Sequence, residues 1–143
     1  MQDKALTEKL KFILEARKLN RKELEAERGE FERYGDADKE IAAAMKGRGA
    51  EVRSLKGVGN TDVPDIEKGD LRSVIKKLKS YGRSKDRIRK AYDSVKADTD
   101  DPSIVRISGT GKKEKRTLVA GNTRAMIRKA LGKKIKVHVY KTK

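Results

Sequence analysis

Gly121-Asn122-Thr123-Arg124 is the stretch whose residue types and spacing point to a specific chemistry. It follows the apolar run Thr117 to Ala120 and precedes an amphipathic stretch, Met126 to Leu131. Glycine lets a backbone turn sharply off a strand, and Asn122 or Thr123 suits the cap position of the helix that follows. The N-terminus of such a helix offers unpaired N–H groups and a partial positive charge, both favourable to phosphate. Arg124, in the first turn, can add a bidentate guanidinium contact to the same anion. The competing reading is a capped helix whose Arg124 pairs with a carboxylate, and spacing alone leaves both open.

The box needs a strand before it and a helix and strand after it. Met126, Ile127, Ala130 and Leu131 fall at core-facing helical spacing, with Arg128 and Lys129 outward, and Leu131-Gly132 ends the helix. In the closing strand, Ile135, Val137 and Val139 share one face, and Lys136, His138 and Tyr140 the other. His138 reads as a surface histidine, and Tyr140 and Tyr92 as candidates for stacking on a base. Upstream, Ile104, Val105 and Ile107 predict a strand, Ser108 to Lys115 a hairpin loop and Thr117 to Ala120 the return strand. Gly109 and Gly111 lack the spacing of a glycine-rich phosphate loop.

Two helices should precede these strands. Asp70 is placed to cap Leu71, Val74, Ile75 and Leu78, with Gly82 as the stop; Ser84 opens a second helix with Ile88, Ala91, Tyr92 and Val95 on one face. Lys76, Lys77, Arg83 and Arg87 lie on the opposite faces. The pair suggests a helix-turn-helix, for which sequence-independent phosphate contact is a better expectation than base reading. Asp98 to Asp101 reads as a solvated turn and helix stop before Pro102, without the glutamate of a calcium loop.

Charge is distributed unevenly. The 143 residues have a formal net charge of +16, yet residues 1–46 carry 11 basic and 11 acidic side chains. The whole excess lies in residues 47–143, and from Ser103 onward 13 basic residues face Glu114 alone. Such asymmetry makes a positive field that concentrates polyanions. Together with Arg128, Lys129, Lys133, Lys134 and Lys136, the helix cations above predict a nucleic-acid surface, DNA being the preferred partner. The chain has no cysteine and one histidine, so Cys-based metal sites and disulfides are excluded and no metal site is expected. No apolar run approaches the roughly 20 residues of a membrane span. A soluble, cytoplasmic protein is the expectation, with no membrane partner.

The spacing of Leu6, Leu10, Ile13 and Leu14 predicts a helix from Thr7 to about Arg33, and DKEIAAAM a second from Asp38 to Met45. So polar a first helix must pack on another chain, pack on the basic domain, or fray. Residues 47–69, rich in glycine, read as a linker contributing one edge strand. The expected organisation is a charged helical segment (1–46), that linker, and a phosphate-binding domain (70–143).

The run from Ile104 to Tyr140, and LVAGNTRAMIRKALGKKIKVHVY above all, resembles the ParB/sulfiredoxin superfamily, and the helix expected at 71–81 fits the family's order. Its pattern is a strand ending in a Gly-x-x-Arg box, a helix with small residues, a Leu-Gly stop and a closing strand. The resemblance implies an α+β fold, a small mixed sheet with helices, whose box binds nucleotide phosphates. Its members include DNA-segregation clamps that hydrolyse CTP, sulfiredoxins, serine kinases and DNA-binding or nuclease-like proteins, many carried by phages and plasmids. A phage-infected host cell is therefore one expected setting. By position, Gly121 would be the turn glycine and Arg124 the phosphate-binding arginine, with Asn122 and Thr123 adding contacts. The clamps have Glu-Arg where this chain has Asn122-Thr123, and the sulfiredoxin cysteine is absent.

Three functions follow as expectations. The first is a ParB-like domain binding DNA electrostatically and a nucleotide or backbone phosphate at the box, the nucleotide being a nucleoside triphosphate with magnesium. The second is an enzyme on the same fold, a nucleotide-dependent phosphotransferase, NTPase or nuclease, its acid drawn from Glu51, Asp62, Asp65, Glu67 or Asp70. The third is a non-catalytic assembly protein, joined to itself or to a partner protein through residues 1–46.

Overall fold

The computed structural model describes residues 17–142. In chain order it contains α1 (Arg21–Ala26), α2 (Arg28–Phe31), α3 (Ala37–Met45), β1 (Arg48–Val52), β2 (Val58–Gly59), α4 (Leu71–Ser80), α5 (Lys85–Lys96), β3 (Ser103–Ser108), β4 (Lys115–Ala120), α6 (Asn122–Ala130) and β5 (Ile135–Thr142). The architecture is α+β, with one mixed sheet in the order β1-β5-β3-β4-β2. The β3–β4 hairpin is antiparallel, β5 lies parallel to β3, β1 closes one edge antiparallel to β5, and β2 the other parallel to β4. The glycine-rich region expected to give one edge strand thus supplies both edges. No helix among the described residues is long and apolar enough to cross a membrane.

The central strands bury side chains on both faces. Val105, Leu118, Ile135 and Val137 pack with Val74 and Leu78 of α4, Ile88 and Val95 of α5, and Met126 and Ile127 of α6. Their neighbours Ile104, Val119, Ala120 and Tyr140 point the other way, onto Leu19, Leu24, Phe31, Ile41 and Ala44. The alternation is the period-2 pattern of a strand, interrupted at Val119-Ala120, where the β3–β4 register shifts. Of the three fates open to the polar N-terminal segment, its described part packs on the sheet. The expected single helix is not continuous there. Residues 17–20 are not helical, because Asn20 opens a new helix with a capping box: its side chain accepts from the Glu23 N–H at 2.9 Å while Glu23 accepts from the Asn20 N–H at 3.0 Å. The part of the expected helix before Arg17 lies outside the described residues.

This second cover changes the reading of β5. His138 is 0% exposed rather than a surface histidine. Its Nδ1 accepts the Leu19 N–H at 2.9 Å, so Nε2 carries the hydrogen and donates to the Ala44 carbonyl at 2.7 Å. Tyr140 is likewise buried and cannot stack on a base: its hydroxyl donates to Glu40 at 2.7 Å, and its ring meets Phe31 edge-on. Burial pushes the Glu40 carboxyl up, but hydrogen bonds from Arg106 and Tyr140 outweigh this and hold it below the usual range. Burial and the Glu40 bond both raise Tyr140.

On the other cover, the α4 stop forms as expected. Gly82 has φ 88°, its N–H bonds the Lys79 carbonyl at 3.0 Å, and the Arg83 N–H bonds that of Leu78 at 3.1 Å. Ser84 caps α5 through the Arg87 N–H. Asp70, expected as the α4 cap, makes no cap bond; its carboxylate instead accepts the Glu67 N–H at 3.2 Å.

His138 yields a pH prediction. Burial lowers its pKa, the Ala44 bond opposes this, and the nearby Lys18 charge adds to the lowering. The folded chain therefore holds the ring neutral. Stability from this group is present above the unfolded value of about 6.5 and is lost as pH falls below it, because the unfolded chain protonates first. Tm should drop between about pH 7.5 and about pH 5.5 in the wild type, whereas His138→Gln should be less stable at the upper pH but lack that slope.

Candidate functional site

The box lies at the end of β4 and the start of α6, and all four of its residues line a cleft of about 490 Å³. Gly121 has φ 87°, and a side chain there would place its Cβ 2.6 Å from Ser103 Oγ and 2.8 Å from an Arg124 nitrogen. Only glycine fits both the conformation and the space. Ser103 donates to the Gly121 carbonyl at 2.8 Å, tying the turn to β3. No side chain caps α6, so Asn122 and Thr123 do not take the expected capping role. Asn122 instead accepts a hydrogen bond from the Thr61 hydroxyl at 2.5 Å. Beside it, Asn60, at φ 62°, donates to the Leu118 carbonyl and the Tyr34 hydroxyl. The 60–61 loop thus braces the box, and the first turn of α6 keeps its N–H groups available.

Arg124 lines the cleft and, against the competing reading of the spacing, is not paired with a carboxylate among the described residues. Its Nε donates to the Asp101 carbonyl at 2.9 Å and one terminal nitrogen to that of Pro102 at 3.3 Å. Nη1 has no partner among the described residues. The wall facing the box comes from α5 and the turn before it, through Arg83, Arg87 and Lys90. Arg83 is half-buried, its backbone fixed by the α4 stop, and its Nε is buried with no hydrogen-bond partner. A buried donor left unmade costs about 1–3 kcal/mol, which an anion in the cleft would relieve. Neither Arg83 nor Arg87 has a carboxylate partner among the described residues, whereas Lys90 lies 3.3 Å from Asp86. Glu27, Glu30 and Arg33, from α2 and its borders, complete the lining.

The remaining predicted nucleic-acid residues divide into three groups. Lys76 and Lys77 are exposed on α4, Lys77 being 3.6 Å from Asp62. Lys129, Lys133 and Lys134 meet Arg53 and Lys68 around Gly132, lining a depression of about 390 Å³, with Lys133 held by Asp98 at 3.4 Å and the Val95 carbonyl at 3.1 Å. Arg128 does not face outward: it is 3% exposed and is removed from any nucleic-acid surface. It donates to Asp100 at 2.6 and 2.8 Å, to Asp98 at 2.9 Å and to the Lys134 carbonyl at 2.9 Å. Lys136 is also turned inward, 3.5 Å from Asp100 and bonded to the Asp98 carbonyl.

The acidic turn is correspondingly not solvated throughout. Asp100 is 5% exposed, and although burial pushes its carboxyl up, the Arg128 hydrogen bonds and the Arg128 and Lys136 charges hold it below the usual range. Its partner, Arg128, is placed one turn along α6 from the box, so the pair fixes the helix that carries it.

None of Glu51, Asp62, Asp65, Glu67 and Asp70 lines the cleft; the carboxylates there are Glu27 and Glu30. Sequence spacing could not have found these two, nor Arg33 and Asn60, because only folding brings residues 27–60 to the box. Among the described residues, no group of three or more His, Asp or Glu is arranged to hold a metal ion. No family model, curated protein or solved structure matches the chain.

Asp100→Asn should remove the counter-charge while leaving Arg128 buried. Breaking a buried pair in this way costs about 3–5 kcal/mol, so the urea midpoint should fall steeply. An unchanged midpoint would show that the pair does not anchor α6.

Proposed function

We propose that the chain is a ParB-like domain that binds DNA electrostatically and holds a nucleotide or backbone phosphate in the cleft at Gly121–Arg124. The observation that carries this reading is Arg83: a half-buried guanidinium with an orphaned Nε, beside Arg87, in the cleft that the uncapped start of α6 also lines. Arginines that pair with no carboxylate and free backbone N–H groups in one concavity are complementary to a phosphate. The order of β4, the Gly-x-x-Arg turn, α6, Leu131-Gly132 and β5 supports the ParB-like reading, as does the mixed sheet.

For DNA, the support is the basic depression of Arg53, Lys68, Lys129, Lys133 and Lys134, together with exposed Lys76 on α4. Groups like these neutralise backbone phosphates without reading sequence. Duplex contact on the outer surfaces and a single phosphate in the cleft are separable activities.

Calorimetric titration with ATP, CTP and GTP plus magnesium, with and without duplex DNA, tests both. At least one nucleotide should bind, and Arg83→Ala should weaken it by on the order of tenfold or more while duplex affinity is largely kept. Duplex affinity should fall steeply with salt, and Lys129→Ala with Lys133→Ala should flatten that slope. Duplex binding without any nucleotide or phosphate binding would make the box purely structural and leave a polyanion-binding module.

A further inference from the structure

The phosphate reading accounts for one wall of the cleft and leaves another unexplained. Glu27 is half-buried, borders the cleft, and its carboxylate makes no hydrogen bond or ion pair among the described residues. It sits in one concavity with Arg83 and Arg87 yet is paired with neither. Glu30, nearby, is engaged by Arg33 at 3.3 Å. Ala91 and the end of β4 also line the cleft, the Leu118, Val119 and Ala120 side chains being buried in the cores. The cleft therefore offers two chemically distinct features: cations with a helix N-terminus, and an unpaired carboxylate.

Each feature selects a part of a ligand. The cations take an anion. An ionised carboxylate accepts hydrogen bonds and cannot donate them, so it favours an amine and repels a carbonyl oxygen. The cleft volume of about 490 Å³ falls within the usual range of small-molecule sites, about 300–1,000 Å³.

We infer that the cleft takes a single nucleotide with an amino-bearing base, its phosphate at Arg83 and the start of α6 and its exocyclic amine donated to Glu27. This rests on the cleft being a phosphate site and adds that Glu27 determines base specificity. The nucleotide can be free or the phosphorylated end of a DNA strand, since both present the same chemistry.

The test uses the full chain and two pairs of nucleotides that differ by amine against carbonyl, ATP against ITP and CTP against UTP. Inorganic triphosphate is the base-free probe. The wild type should prefer the amino member of a pair by on the order of tenfold. Glu27→Gln replaces an acceptor with a group that both donates and accepts, so the preference should collapse towards parity while triphosphate binds no more weakly. Glu30→Gln should keep the preference. If triphosphate binds but no preference exists, or if it survives Glu27→Gln, the specificity role of Glu27 is overturned and the phosphate site stands. If neither triphosphate nor any nucleotide or strand end binds, the phosphate site itself is overturned. A 5′-phosphorylated oligonucleotide, compared with its 5′-hydroxyl counterpart, identifies the source. A preference for the phosphorylated strand that depends on an amino-bearing terminal base and on Glu27 supports the inference with a strand end as ligand.

Discussion

Two opposite faces of one sheet must be buried, and most of the structure follows from how that is done. Ile104 beside Val105, and Leu118 beside Val119, leave no solvent face on the central strands. A sheet with one cover would expose Ile104, Val119 and Tyr140 to water, at about 1.5–3 kcal/mol for each large apolar side chain. Helices α4–α6 cover one face. Residues 19–45 cover the other, although that segment is among the most polar in the chain. It does so with few apolar anchors, Leu19, Leu24, Phe31 and Ile41, and with polar groups that meet partners on the strands: Glu40 with Arg106 and Tyr140, and the Leu19 N–H with His138.

The same need governs the charges. Arg128, Arg106 and Lys136 belong to the basic excess by count, but they hold Asp100, Glu40 and the Asp98 turn in place. Buried pairs of this kind contribute little net stability when intact and cost much when one partner is removed. Their consequence here is positional. Arg128 binds the 98–100 turn while Arg124 binds the carbonyls of Asp101 and Pro102, so consecutive turns of α6 clasp one loop. The long-range positive field remains, carried by Arg83, Arg87 and the cations around Gly132.

The cleft exists because the two covers meet at the end of β4. One cover supplies Arg83 and Arg87, the other Glu27 and Glu30, and the strand-to-helix turn supplies the box between them. A charge-balanced segment outside the resembling region thereby becomes one wall of the concavity that the box opens onto. The enclosure that makes Arg83 Nε a buried, unpaired donor also gives an anion there a stronger interaction than it would have on an open basic face.

Local order was legible in the residues. The β3–β4 hairpin, the glycine turn at 121, the apolar face of α6 and the stop at Gly82 each depend on neighbours within a few positions, where period, turn chemistry and capping operate. Partnership was not. Arg128 reads as an outward cation because helical spacing ranks faces by hydrophobicity, and it cannot show that Asp100 waits across the loop. His138 and Tyr140 read as surface residues because β5 alternates, and alternation shows which side chains share a face without showing what covers it. The sequence by itself determined the central elements from α4 to β5, the α+β class and the asymmetry of charge, all set by local sterics and composition. Only the tertiary structure decided which charges are spent on the fold, which face the N-terminal segment covers and which carboxylates enter the cleft, because burial depends on contacts between residues far apart in the chain.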